Sequence, residues 1–159
     1  MKKQSGQLLI EILVAMVAIV GIAALGGQLI LVGQKSNKFT GDKDTALKLV
    51  EEASGAVRGI ATENWQFIYR PPDGTGNPIT SKGSLNLYQS VQSSGKWVLM
   101  TGSEVITING VNYTRSLYIE NVNRDASKNI VLSGGTDDPG TQKVVVSVSS
   151  PGAEAVTSS

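Results

Sequence analysis

The chain has 159 residues, with 14 Lys and Arg against 13 Asp and Glu, so its formal net charge is +1. This length predicts one domain, and the even charge balance indicates no basic face that would bind nucleic acid. Because the sequence has no Cys and no His, thiol nucleophiles, disulfides, imidazole bases and the usual zinc ligands are excluded. We therefore expect neither an enzymatic activity nor a cofactor.

The first long element is an apolar run near the N-terminus. Lys2 and Lys3 precede this run, and no charged residue follows Glu11 until Lys35. A helix of about 23 uncharged residues is roughly 35 Å long, which is enough to cross a bilayer. We interpret residues 7–34 as a membrane-spanning helix, with the two lysines holding the N-terminus in the cytoplasm.

Two simple interpretations of this run leave Glu11 without a use. A plain signal anchor tolerates an acid near the membrane interface, because the cost there is below the roughly 2–3 kcal/mol expected at the bilayer centre. A cleaved secretory signal peptide fits the basic start, but its apolar core is usually only about 7–15 residues long. Neither interpretation requires an acid at this position.

The spacing between Gly6 and Glu11 is the basis of a family resemblance. The segment GQLLIEILVAM resembles the processing site of type IV prepilins and of the pseudopilins of type II secretion. In that family a short basic leader ends in Gly, cleavage follows it, and an acid is the fifth residue of the mature chain. The resemblance implies a leader peptide at residues 1–6, cleavage between Gly6 and Gln7 by a prepilin peptidase, and Glu11 as the fifth mature residue.

The same resemblance implies a role for Glu11 in assembly. Cleavage would give Gln7 a new α-amine, which is cationic near neutral pH, and in the family the acid of a neighbouring subunit neutralises this amine. Two groups that are costly alone in an apolar medium then form an assembly salt bridge. The family usually has Phe at the first mature position, N-methylated by the same peptidase, and the resemblance extends this methylation to Gln7.

An amphipathic helix and its exit segment are expected in residues 35–70, with a kink or short break near Gly41. The helix should end within residues 62–66, and Trp65 is interpreted as a core anchor rather than a binding residue. Apolar residues at three- and four-residue steps predict a helix face that packs on a sheet. These residues are Ala46, Val50, Ala53, Val57 and Ile60.

Residues 71–150 are predicted to form a β-rich globular head. Strand patterns occur in LNLYQSV, KWVLM, EVITI, VNYTRSLYIENV, NIVL and KVVVSVS. Asn109 and Gly110 predict a type I′ hairpin, a turn is expected at residues 138–140, and residues 151–159 are interpreted as a disordered tail. The predicted fold class is α+β: a long N-terminal helix packed on a small antiparallel β-sheet, which resembles the pilin fold.

Asp137 and Asp138 raise the question of a calcium site, since some pseudopilins bind calcium in a loop near the C-terminus. Two acids beside Gly and Pro are more often a solvated turn, because calcium requires six or more oxygen ligands in a formed cage. We therefore assign no metal to this chain.

The resemblance implies a structural subunit, a minor pilin or pseudopilin, of a type IV pilus or a related secretion or DNA-uptake filament. Its implied partners are the prepilin peptidase, other pilin or pseudopilin subunits, the inner-membrane assembly platform and, before assembly, membrane lipid. The expected location is the cytoplasmic membrane, crossed once with the N-terminus inside and the head outside, and then a cell-surface pilus or pseudopilus. The alternative is a single-span membrane protein whose extracellular β-rich head binds a ligand without forming a filament.

Overall fold

The computed structural model describes residues 4–71, 82–151 and 154–159. The chain divides into two compact units, Met1–Gly41 and Asp42–Ser159. The described residues form one long N-terminal apolar helix and an antiparallel sheet of seven strands, which confirms the α+β class. The helices are α1 Gln4–Glu63 and α2 Gln66–Tyr69, and the strands are β1 Tyr88–Ser93, β2 Lys96–Thr101, β3 Glu104–Ile108, β4 Val111–Arg124, β5 Ile130–Val131, β6 Thr136–Ser149 and β7 Val156–Ser158.

Helix α1 runs without an interruption from Gln4 to Glu63. The predicted break near Gly41 is therefore not present in the helix, whereas a bend at this position stays a prediction. The helix ends within the range expected from the sequence, and the single-turn helix α2 follows at once. The side chain of Asn64 accepts a hydrogen bond of 3.0 Å from the backbone N–H of Gln66, which satisfies one of the free donors at the start of α2.

The sheet has the strand order β2-β1-β4-β6-β7, and β3 and β5 pair with β4 as well. Strands β3 and β4 form a two-residue hairpin in which Ile108 pairs with Val111. Asn109 and Gly110 between them have φ values of 52° and 77°, which confirms the positive φ values that a type I′ turn requires. The long strand β4 is thus the central element on which the rest of the sheet is built.

The core of the second unit lies between α1 and the inner face of this sheet. All five apolar helix residues predicted for this face are at most 7% exposed, and Leu49 and Ala56 join them. The sheet contributes every second residue of β4 on the same side, as expected from the two-residue period of a strand. Its main core residues are Tyr88, Leu99, Tyr113, Leu117, Ile119, Val146 and Val148.

The turn predicted at residues 138–140 lies inside β6 rather than before it, because β6 begins at Thr136, so the predicted start of this strand is wrong. Asn121 of β4 pairs with Gln142, and Asn123 pairs with Asp137. Residues 138–141 therefore stand opposite Val122 as a four-residue bulge. The expected turn chemistry is present within this bulge, because the carboxylate of Asp138 accepts a hydrogen bond of 2.9 Å from the backbone N–H two residues later.

The prediction of a disordered tail is wrong for the last strand, β7. Val156–Ser158 pairs with Val146–Val148 of β6, and Val156 packs against the core. The order comes from backbone pairing with an existing strand and from one partly buried apolar side chain. Three residues are too few to show a strand period in the sequence, so the local pattern carried no sign of this strand.

Candidate functional site

The apolar segment of α1, residues 9–32, is the largest exposed apolar region of the described chain. Its large apolar side chains, from Leu9 to Val32, are between 55% and 74% exposed. An 18-residue window of this helix has a mean hydropathy of 2.6, and none of it is buried. By length and composition the helix is long and apolar enough to cross a membrane. A helix that is apolar on all sides requires a lipid or protein environment around it.

The three residues of the predicted processing and assembly site lie at the start of this helix. Gly6 and Gln7 belong to its first turns, since α1 begins at Gln4. Glu11 follows Gln7 by four residues, so the two positions share one helix side about 6 Å apart along the axis. The side chain of Glu11 is exposed, and no salt bridge joins it to another described residue. The helix thus presents one acid near the start of the apolar segment.

Arg115 is a buried cation in the head that sequence reasoning missed. Only 4% of this residue is exposed, and its Nε donates a hydrogen bond of 2.7 Å to Glu104 of β3. Its Nη1 donates to the carbonyl oxygen of Leu49, 3.1 Å away in α1, and lies 3.4 Å from Glu52. Arg115 therefore ties α1 to β3 and β4. The sequence contains a sign of this burial, because Tyr113, Arg115 and Leu117 are every second residue of β4 and therefore share the inner face of the sheet.

Tyr113 forms a second polar link between the sheet and α1. Its hydroxyl donates a hydrogen bond of 3.2 Å to Asp42. Burial is the main cause that raises the pKa of Tyr113 above its ordinary value, and the nearby carboxylate of Asp42 adds to the rise, while a hydrogen bond with Thr45 opposes it. The hydroxyl stays protonated and remains a donor, so its role is to hold the first turns of the head's helical part on β4.

The two aspartates considered for calcium have different surroundings. Asp138 accepts a hydrogen bond of 2.6 Å from Nε of Arg124 and another from the backbone of Gly140. The hydrogen bond from Arg124 is the main cause that holds the pKa of Asp138 below its ordinary value, with help from Thr141 and Gly140. Both carboxylate oxygens of Asp138 thus have protein donors. Asp137 does not form a metal-binding group with other acids, since the described residues contain no cluster of three candidate ligands.

Lys82 lies over an aromatic ring at the side of the head. Its Nζ is 4.5 Å from the ring centre of Tyr69 and donates a hydrogen bond of 2.6 Å to Asn121. Desolvation lowers the pKa of Lys82, the charge of Asp137 opposes this shift, and the charge of Arg70 adds to it. Lys82 therefore contacts α2 by a cation–π interaction and β4 by its hydrogen bond to Asn121, which is a structural role.

Trp65 is confirmed as a core anchor. It is half-buried and packs against the core cluster, and its ring Nε1 donates a hydrogen bond of 2.8 Å to the carbonyl oxygen of Pro139. This bond reaches the bulge in β6, 74 residues away in the chain. One part of the ring also lines a groove beside β6, so the anchor contributes to a surface feature as well.

We compared the chain with protein-family models, with curated proteins and with solved structures, and none of them matches it.

Proposed function

We propose that this protein is a structural subunit of a type IV pilus or a related secretion or DNA-uptake filament, as a minor pilin or pseudopilin. In this proposal a prepilin peptidase cleaves the chain after Gly6 and N-methylates Gln7. The subunit stays in the cytoplasmic membrane, with its head outside, until the assembly platform adds it to the filament. Its apolar helix then exchanges lipid contacts for contacts with the helices of other subunits.

The observation that carries this proposal is one acid near the start of an exposed helix segment whose other side chains are almost all apolar. The apolar segment has no charged residue after Glu11, and its side chains stay exposed over its whole length. Lipid alone would accommodate such a helix better without the acid. A filament gives the acid a use, because each subunit would bring one new amine, on Gln7, into a bundle of apolar helices.

The charge balance of the proposed pair explains why both groups are needed. An unpaired ammonium or carboxylate in an apolar bundle costs several kcal/mol when it stays charged and fully buried. Glu11 and the amine of Gln7 in a neighbouring subunit cancel this cost when a shift of about one helical turn brings them together.

The assembly role is tested by replacing Glu11 in the native host. Glu11→Gln and Glu11→Ala should reach the membrane and be cleaved at Gly6 as the wild type is, since both changes make the helix more apolar. Their incorporation into sheared surface filaments or the pseudopilus fraction should be lost. Glu51→Gln is the matched control, because Glu51 is an exposed acid of the same helix within the head. Equal incorporation of wild type and Glu11 variants would refute the assembly role.

Intact-mass measurement tests the processing site separately. The mature protein should begin at Gln7 and carry one added methyl group. Gly6→Leu should keep the leader without changing the fold of the head. A chain that retains residues 1–6 in cells with an active prepilin peptidase would contradict the proposal. Cleavage near residues 23–27 would indicate a secretory signal peptide instead.

A single-span membrane protein with a ligand-binding head is the second candidate. It is favoured by one observation, the groove in the head that Trp65 helps to line. This candidate predicts that Glu11→Ala is neutral or mildly favourable for every activity of the protein, since removing the acid lowers the cost of the membrane helix. The Glu11 variants therefore distinguish the two functions.

A further inference from the structure

The inner face of the sheet ends in a polar pair beside the core. Ile119 of β4 is fully buried, and two residues later on the same face lies Asn121, whose partner across the strands is Gln142 of β6. The amine of Lys82 contacts both members of this pair. Its Nζ donates a hydrogen bond of 2.6 Å to Oδ1 of Asn121 and another to Oε1 of Gln142. A primary amine is thus held against two side-chain amides.

The surroundings of Lys82 favour its neutral form. Lys82 is partly buried, and its Nζ is 4.5 Å from the centre of the Tyr69 ring. Desolvation is the main cause that lowers the pKa of Lys82, and the charge of Arg70 adds to this shift, whereas the charge of Asp137 opposes it. A lysine with a lowered pKa is neutral for a larger fraction of the time, and the neutral amine is a nucleophile.

Asp137 places a carboxylate near this amine. It pairs in the sheet with Asn123, which shares a face of β4 with Asn121, and its charge acts on Lys82. None of the salt bridges among the described residues involves Asp137. Its carboxylate is therefore available to accept a proton and to return it.

We propose that Lys82 and Asn121 join in an isopeptide bond, which forms within the folded head without an enzyme. The neutral Nζ attacks Cγ of Asn121, the bond from Cγ to Nδ2 breaks, and ammonia leaves. Asp137 takes a proton from Nζ and gives a proton to the departing nitrogen, so the step consumes no oxidant, reductant or cofactor. Asn121 is exposed, so the ammonia escapes into water. The fold supplies the proximity of amine and amide that free reactants lack.

Asn121 is the acceptor of this bond rather than Gln142 for two reasons. An Asn side chain has one rotatable bond fewer than Gln, so less conformational entropy is lost when its amide is held in place. The amide nitrogen of Gln142 also donates a hydrogen bond of 2.7 Å to the carbonyl oxygen of Thr141, which holds this nitrogen to the backbone and opposes its departure.

The isopeptide bond closes residues 82–121 into a covalent loop. This loop contains β1, β2, β3 and most of β4. The sequence has no Cys, so no disulfide restricts the unfolded chain, and an amide bond does so without being reducible. The bond concerns the head alone and does not depend on filament assembly.

Mass measurement of the full chain in detergent micelles tests this proposal. The chain is produced in cells without a prepilin peptidase, so that Gln7 is not at the N-terminus and cannot lose ammonia by cyclising. The wild type should be lighter than its sequence requires by the mass of one ammonia. After digestion with trypsin, Lys82 should remain uncleaved, and tandem mass spectrometry should find it joined to the peptide that contains Asn121.

Matched variants locate the reacting groups. Lys82→Arg keeps the positive charge but has no amine that becomes neutral, and Asn121→Ala removes the acceptor, so both variants should have their full mass. Lys143→Arg is the control, because Lys143 of β6 contacts Glu120 instead, and it should lose ammonia as the wild type does. Asp137→Asn should slow the loss at least about tenfold after a pulse of expression, since it removes the proton acceptor. Circular dichroism confirms that each variant is folded.

Several results would overturn the isopeptide bond or the roles given to its residues. A folded wild type with its full mass overturns the bond, and so does a loss of ammonia that persists in Lys82→Arg. A trypsin-resistant link from Lys82 to Gln142 overturns the choice of Asn121 as acceptor. Equal rates for Asp137→Asn and the wild type remove Asp137 from the proton transfer.

Discussion

Two stretches of the same helix differ in how their apolar residues are used. In the apolar segment, residues 9–32, Ile19 is 65% exposed, whereas Ile60 in the core segment, residues 46–60, is 1% exposed. The apolar segment has apolar residues on every side. The core segment has most of them on one side, which the sheet buries, and Leu47 and charged residues such as Lys48 and Glu51 are exposed.

The comparison shows that the less hydrophobic stretch is the one buried by the protein's own sheet. A one-sided apolar pattern matches a flat surface such as a β-sheet, which covers one side of a helix and leaves the other in water. An all-round pattern cannot be satisfied by one sheet and needs an environment that surrounds the helix. The arrangement of apolar residues therefore indicates what buries a helix better than their number does.

The largest difference between the two stretches is expected when the same substitution, Ile to Ala, is made in each of them. Ile60→Ala should lower the free energy of unfolding of the head by about 2–5 kcal/mol, because it leaves a cavity in the core. Ile19→Ala should leave this free energy unchanged. Denaturant titration of the full chain in micelles, followed by fluorescence of Trp65 and Trp97, measures both effects, since both rings pack against the core. Equal effects of the two substitutions would refute the division of α1.

The next effect concerns the polar contacts that fix the core segment to the sheet. Arg115→Met should destabilise the head by about 3 kcal/mol, because Glu104 loses its partner and the carbonyl of Leu49 loses a donor. Glu52→Gln is the control. The side chain of Glu52 is 51% exposed, so its loss should cost less than about 1 kcal/mol. Denaturant midpoints of the two variants measure both losses of stability. A larger loss for Glu52→Gln than for Arg115→Met would show that the exposed contact with Glu52 stabilises the head more than the buried contacts of Arg115 do.

Glycine substitutions should give a smaller effect of opposite sign in the helix and in the hairpin. Gly110→Ala should destabilise the head by about 1 kcal/mol, because φ is 77° there. Gly55→Ala in the core segment should stabilise it by up to about 1 kcal/mol, since an added Cβ at this exposed position meets nothing within 4 Å. Thermal unfolding compares the two variants with Gly27→Ala in the apolar segment, which should leave the head unchanged. Stabilisation by Gly110→Ala would contradict the turn assignment.

The smallest expected effect is on how the stability of the head falls at acid pH, and it concerns Asp138 in the bulge of β6. The pKa of Asp138 is lower in the folded state than its ordinary value of 3.8, mainly through the hydrogen bond from Arg124. The resulting stabilisation is present above pH 3.8 and is lost as the pH falls through the folded-state pKa. Asp138→Asn should therefore remove part of the acid sensitivity of unfolding. Denaturant titrations at several values below pH 5 test this, and an unchanged pH profile would show that the bridge contributes nothing.

The sequence by itself was sufficient wherever the pattern is local. The three- and four-residue spacing predicted the buried side of the core segment, Asn109-Gly110 predicted the hairpin, and the apolar run within residues 7–34 indicated a candidate membrane helix. Each of these depends on residues within a few positions of one another. The period of a helix, the positive φ of a turn and the length of an apolar run can all be determined without knowing what lies opposite.

The tertiary structure alone decided where distant segments meet. Val156–Ser158 has no strand pattern of its own and forms a strand because it pairs with β6. The turn expected at residues 138–140 lies within the bulge of β6 at residues 138–141. Arg115 found its partners in Leu49, Glu52 and Glu104, and Trp65 reached Pro139. These contacts depend on the register of strands and on the placement of a helix over a sheet, which short-range periodicity does not specify. For the same physical reason the groove that Trp65 helps to line could be located only once α1 and β6 were in place.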